Sequence, residues 1–131
     1  MANVLIAHIG SKMNHMASYG DVLRSHGHEV TEIYFDSTSR INWIPGESVL
    51  NTLKKAITGE STDANNFEVV VIFDEYEQIL NTIRNLLPAK VPVLYMDIFG
   101  EIEPVDGLIW FGMNECLPSR VLKKVDKITA K

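Results

Sequence analysis

The sequence predicts an α/β domain: a doubly wound, five-stranded parallel sheet with helices on both faces, a three-layer sandwich. Three observations predict it. Short β-rich apolar runs alternate with helical segments along the chain. The runs NVLIAHI (3–9) and FEVVVIF (67–73) lack polar alternation, which marks strands buried on both faces. The alternation has the spacing of right-handed crossovers between parallel neighbours.

The first strand covers Asn3 to Ile9, and Gly10-Ser11 stops it. A helix follows from Asn14 to His26. Met16, Tyr19, Val22 and Leu23 fall on one helical face, Asn14 can cap the start, and Gly27 stands where a left-handed residue ends a helix. Glu29 to Phe35 is the second strand, rich in good β formers. Asp36 to Asn42 is a polar loop, and Pro45-Gly46 precedes a helix from about Glu47 to Thr58, closed by Gly59. Glu60 to Asn66 is a loop. Phe67 to Phe73 is the third strand. Tyr76 to Leu87 is a helix with Ile79, Leu80, Ile83, Leu86 and Leu87 on one side, ended by Pro88. Val91 to Met96 is the fourth strand, with Pro92 tolerated at its start. Asp97 to Asp106 is an irregular connection too short for a full helix. Gly107 to Phe111 is the fifth strand, and Pro118 opens a last helix, Ser119 to about Ala130. The order matches flavodoxin-like and Rossmann-like sheets.

The 131 residues suit one domain spanning the whole chain, and 46% hydrophobic against 22% charged content suits a packed core. One cysteine, Cys116, excludes an internal disulfide and any cysteine-only zinc or iron–sulfur site within the chain. No apolar run approaches the ~18 residues of a membrane span. The N-terminal apolar run lacks a basic flank and reads as a strand rather than a signal peptide, so a cytoplasmic location is expected. The net charge of −5 argues against a nucleic-acid partner. Its distribution is sided. Eleven of the seventeen acids lie between Glu60 and Glu115, whereas Arg120, Lys123, Lys124, Lys127 and Lys131 crowd the end of the chain. That basic stripe reads as a solvated outer helix face.

Ligands of open α/β sheets bind beyond the carboxyl ends of the strands, where strand order reverses. The residues predicted there are Gly10 to Asn14, Asp36 to Ser39, Asp74 to Gln78, Asp97 to Glu101 and Gly112 to Glu115. Neither a phosphate loop ending in Gly-Lys-Ser/Thr nor Gly-x-Gly-x-x-Gly is present. The acids at three of these edges repel phosphate. They read as solvated carboxylates at helix N-termini rather than a magnesium site, because the acidic pair and the lysine of receiver domains are missing. His8 lies inside the first strand and reads as a satisfied buried side chain. His26 and His28 flank Gly27, and no two histidines have metal-ligand spacing on one helix. No metal site is expected. Cys116 has no histidine coupled to it in sequence and reads as a mildly buried thiol rather than a nucleophile.

Several segments together resemble the N-terminal cobalamin-binding domain of many radical-SAM enzymes. They are Met16-Ala17-Ser18-Tyr19 through Leu23-Arg24-Ser25-His26-Gly27-His28-Glu29-Val30, then Phe67-Glu68-Val69-Val70-Val71, then Val91-Pro92-Val93-Leu94, then Val105-Asp106-Gly107-Leu108-Ile109 with Gly112-Met113-Asn114-Glu115. The resemblance implies a corrin packed on the carboxyl edge of the sheet. It points to Ser11, Met13, His15, Asp74, Glu75, Asp97, Ile98 and Gly112 as its walls. The chain departs from that family where Met96-Asp97-Ile98-Phe99-Gly100 replaces Gly-Gly after the fourth strand. It also lacks the Asp-x-His-x-x-Gly signature whose histidine ligates cobalt, and its one cysteine cannot supply the three-cysteine cluster. The expectation is therefore a non-catalytic module for a small-molecule ligand, or for a partner catalytic domain, with cobalamin as its cofactor or with cofactor binding lost. Two other classes share parts of the pattern. One is the acceptor-side half of a two-lobed glycosyltransferase, suggested by Gly27-His28-Glu29-Val30-Thr31. The other is a flavodoxin-like flavin binder, using Gly10 to His15 as a phosphate loop, or a pseudo-receiver acting through protein contacts.

Overall fold

A computed structural model describes residues 2–9, 17–35, 48–59, 66–74, 79–97, 105–112 and 114–130. In chain order the elements are β1 (Asn3–Ile9), α1 (Ala17–Ser25), β2 (Glu29–Phe35), α2 (Ser48–Thr58), β3 (Val69–Asp74), α3 (Leu80–Arg84), β4 (Val93–Met96), β5 (Ile109–Phe111) and α4 (Pro118–Thr129). The strands form one sheet in the order β2-β1-β3-β4-β5, and every neighbouring pair is parallel. The order runs outward from β1 in both directions, so it reverses between β1 and β3.

The period of two along each strand sorts the core into two layers. Leu5, Ala7, Ile9, Val70, Ile72 and Tyr95 face Leu53 and Ile57 of α2 and Leu80 and Ile83 of α3. Val4, Ile6, Val71, Phe73, Leu94 and Met96 face Tyr19 and Leu23 of α1 and Val121 and Val125 of α4. Strands β1 and β3 are buried along almost their whole length, as their unbroken apolar runs require.

The end of α1 is a Schellman motif. The Gly27 N–H bonds to the Arg24 carbonyl at 3.0 Å, the His28 N–H bonds to the Leu23 carbonyl at 3.3 Å, and Gly27 has φ 86°. The last helix begins with Pro118 in its first turn, as its sequence predicts. Some elements are shorter than the sequence suggests. Strand β4 starts after Pro92, whose carbonyl accepts the Val70 N–H at 3.0 Å but whose nitrogen can donate to no ladder. Strand β5 starts after a turn in which the Leu108 N–H reaches the Val105 carbonyl and Gly107 takes φ 93°. Helix α3 spans five residues rather than the twelve from Tyr76 to Leu87. Beyond Arg84 the bonds tighten: Leu86 and Leu87 donate to carbonyls three residues back. Pro88 disfavours helical backbone at the residue before it. Residues 76–78 lie outside the described residues, as do Asn14 and the start of the first helix.

Candidate functional site

Strands β3, β4 and β5 are adjacent, so their carboxyl ends lie side by side. Asp74 is the last residue of β3, Asp97 follows β4 and Gly112 follows β5. The structure therefore brings three of the predicted site residues to one edge. The other five, Ser11, Met13, His15, Glu75 and Ile98, lie outside the described residues.

Both aspartates are buried and bonded to the chain itself. One carboxylate oxygen of Asp74, Oδ2, accepts the Tyr95 hydroxyl at 3.0 Å and the Ile79 backbone N–H at 2.9 Å. The second bond fixes the chain where it enters α3. Asp97 Oδ2 accepts the indole N–H of Trp110 at 3.1 Å, and the Asp97 backbone N–H donates to the Phe111 carbonyl at 2.8 Å. Tyr95 and Trp110 are register partners in β4 and β5. Asp74, Tyr95, Asp97 and Trp110 thus form two carboxylate–aromatic pairs on the α2–α3 face of this edge. Placing two carboxylates there gives the edge a negative potential. Gly112 sits under the Trp110 ring: a Cβ added to it would lie 2.5 Å from Cη2 of the indole. The space over Gly112 is thus filled by the Trp110 ring.

The opposite face carries a second polar group. His8, on β1, is 5% exposed. Its ring stacks on Phe73 at 5.5 Å between centroids, and its Nε2 lies 3.0 Å from Oε1 of Glu32 on β2. Arg24 of α1 donates to the other Glu32 oxygen at 3.0 Å. Burial pushes the Glu32 carboxyl up, but hydrogen bonds and charge from His8 and Arg24 outweigh it and hold the group below the usual glutamate range. Gly20 lets α1 approach this carboxylate, since a Cβ there would meet Glu32 Oε2 at 2.7 Å. His8 is the satisfied buried side chain that its strand position suggests.

Cys116 lies beyond β5. Its thiol is 3.1 Å from the Gly112 carbonyl and 3.4 Å from that of Phe111, and the Tyr19 hydroxyl donates to the Cys116 carbonyl. Burial first, then the charges of Asp97 and Glu115, push the thiol up to about 11, with a backbone hydrogen bond from Asp97 offsetting part of the rise. Burial and Cys116 push the Tyr19 hydroxyl up to about 12. The thiol is therefore protonated at neutral pH and is a poor nucleophile. His28 closes the α1 end of the fold: it accepts the Ala2 N–H through Nδ1 at 3.2 Å, so its Nε2–H donates to Asp126 of α4 at 2.6 Å.

Sequence reasoning did not single out Tyr95, Trp110 or Glu32. Parity could have found the first: Tyr95 and Asp97 are two residues apart and so share a face. For Glu32 the signal is weaker, an acid inside a β-rich run that must lie near a buried histidine.

Among the described residues, no group of three or more His, Cys, Asp or Glu side chains could hold a metal ion, and no helix is long and apolar enough to cross a membrane. The fold and its carboxyl edge define a doubly wound α/β domain of flavodoxin-like strand order. No protein-family model and no curated protein matches the sequence.

Proposed function

We propose that the chain is a non-catalytic binding module that takes a small molecule at the carboxyl edge of its sheet, in the crevice between the ends of β1 and β3. The observation that carries this reading is the reversal of strand order at that point: β1 is followed in the chain by its neighbour on one side, β2, and β3 by its neighbour on the other, β4. The adjoining edge supplies buried carboxylates at Asp74 and Asp97, so the ligand class it favours bears N–H donors or positive charge rather than a phosphate ester. The protonated Cys116 thiol and the internally bonded aspartates favour binding over catalysis. We take the cofactor of the cobalamin-binding family to be lost here, because the Trp110 ring occupies the place over Gly112.

Thermal-shift measurements test the ligand class with a panel of small amides, amines and phosphate esters. Amides or amines should raise the unfolding midpoint. Equal or larger rises with the phosphate esters would overturn the assignment. Hydroxocobalamin mixed with the protein and desalted should leave it colourless, and a retained pink colour would overturn the loss of the corrin.

A further inference from the structure

The edge strand β5 and the last helix flank a groove of about 320 Å³, with β4 standing between β5 and the switch point at β1 and β3. One wall is β5 itself, Ile109–Phe111. The other is the row Arg120, Lys123, Lys124 and Lys127 on α4, with Glu115 as the one acid among the described lining residues. Arg120, Lys123 and Lys127 are exposed and Lys124 is half-buried. Among the described residues none of these four cations is paired with a carboxylate. They form a positive strip on a chain whose net charge is −5.

Among the described residues, no strand pairs with the outer side of the strand wall. Strand β5 ends the sheet, and the Phe111 carbonyl accepts the Asp97 N–H on the β4 side. Backbone groups alternate in direction along a parallel strand, so the N–H and C=O of Trp110 turn outward into the groove. An extended segment can bond to that pair and add to the sheet. Its residue opposite Trp110 then shares the Trp110 face. The residues on either side of it share the face of Ile109 and Phe111, which belong to the layer packed against α4. Those two residues are about 6.6 Å apart along a strand, and positions i and i+4 of a helix, such as Arg120 and Lys124 or Lys123 and Lys127, are about 6 Å apart along its axis.

We propose that the β5 edge and the basic face of α4 form a docking groove for an acidic, extended peptide segment of a partner protein, in the pattern acidic–x–acidic, added as a sixth strand beside β5. A second copy of this chain is disfavoured as the occupant, because pairing β5 with itself would bring two such cationic rows together. The proposal is independent of the small-molecule reading above.

Fluorescence anisotropy with a labelled heptapeptide alternating glutamate and valine tests it. Binding should be saturable. The double substitution K123E/K127E should weaken it by about tenfold or more, the effect of reversing two exposed charges. The control K54E/K55E on α2 should leave it unchanged. N-methylation of the central peptide residue should abolish binding, because it removes the N–H that pairs with the Trp110 carbonyl. Unchanged affinity in K123E/K127E, or equal affinity for the N-methylated peptide, would overturn the docking mode. Tighter binding of a single-stranded oligothymidylate than of the peptide would overturn the class of partner.

Discussion

Glu32 gives the sharpest test of how the sheet is bound to its first helix. Its side chain is 13% exposed and accepts from His8 and Arg24, each at 3.0 Å. Replacing it with alanine removes the carboxylate that faces the nearly buried His8 ring. A hydrogen bond to a charged group contributes about 1.5–3 kcal/mol, and a buried polar group that loses its partner costs about 1–3 kcal/mol. Arg24 is 43% exposed and returns to water, so its share adds well under about 1 kcal/mol. The expected loss for Glu32→Ala is therefore about 2–4 kcal/mol, a large part of the ~5–15 kcal/mol of a typical domain. Urea unfolding followed by circular dichroism at pH 7 measures it. The folded-state shift of Glu32 is downward, so its contribution is present above the ordinary value of 4.5 and is lost as pH falls through the lower folded value. Glu32→Gln should flatten that acid limb. A loss under about 0.5 kcal/mol for Glu32→Ala, the range of ordinary surface changes, would refute the reasoning.

Gly20→Ala should destabilise the protein although alanine gains about 1 kcal/mol over glycine in a helix, because the new Cβ meets Glu32 Oε2 at 2.7 Å. In the Glu32→Ala background the same change should become stabilising, a coupling that a double-mutant urea series reads. Gly27→Ala should cost about 1–2 kcal/mol in the same assay, from φ 86° alone, since nothing lies within 4 Å of its Cβ position. Tyr95→Phe removes a donor from the Asp74 carboxylate and should cost about 1.5–3 kcal/mol by urea unfolding. With its thiol raised from 9.0 to about 11, Cys116 should alkylate with iodoacetamide about a hundredfold more slowly at pH 8 than an unperturbed thiol, from thiolate fraction alone, as followed by intact mass.

The alternation of strands and helices was legible because it rests on local physics. The unbroken apolar run of β3 can only sit between two layers, and Gly27 can end a helix at φ 86° where other residues are strained. The gathering of Asp74, Asp97 and Gly112 on one edge followed from their places just at or after the ends of parallel strands. The partners of those residues were not legible. That Tyr95 donates to Asp74 and Trp110 to Asp97 depends on which strands are neighbours and in what register, which alternation alone leaves open. The enclosure of Glu32 depends on the close approach of α1 permitted by Gly20, a tertiary contact that the strand pattern alone does not carry. The helix after β3 was overestimated because the apolar positions Leu86 and Leu87 continue its periodicity past the point where Pro88 tightens the backbone into turns. The groove beside β5 joins two segments whose meaning was only half visible: the basic row was apparent, but not that it faces the last strand of the sheet.

The proposed binding surface for a small molecule is the carboxyl edge of the sheet. Two-dimensional ¹H–¹⁵N NMR of the labelled protein tests it directly, with whichever amide or amine of the thermal-shift panel raises the unfolding midpoint most. The largest shifts should fall at the amides of Ile9, Asp74, Asp97 and Gly112. Shifts concentrated at Asn3, Glu29, Val69 and Val93, on the opposite edge of the sheet, would contradict it.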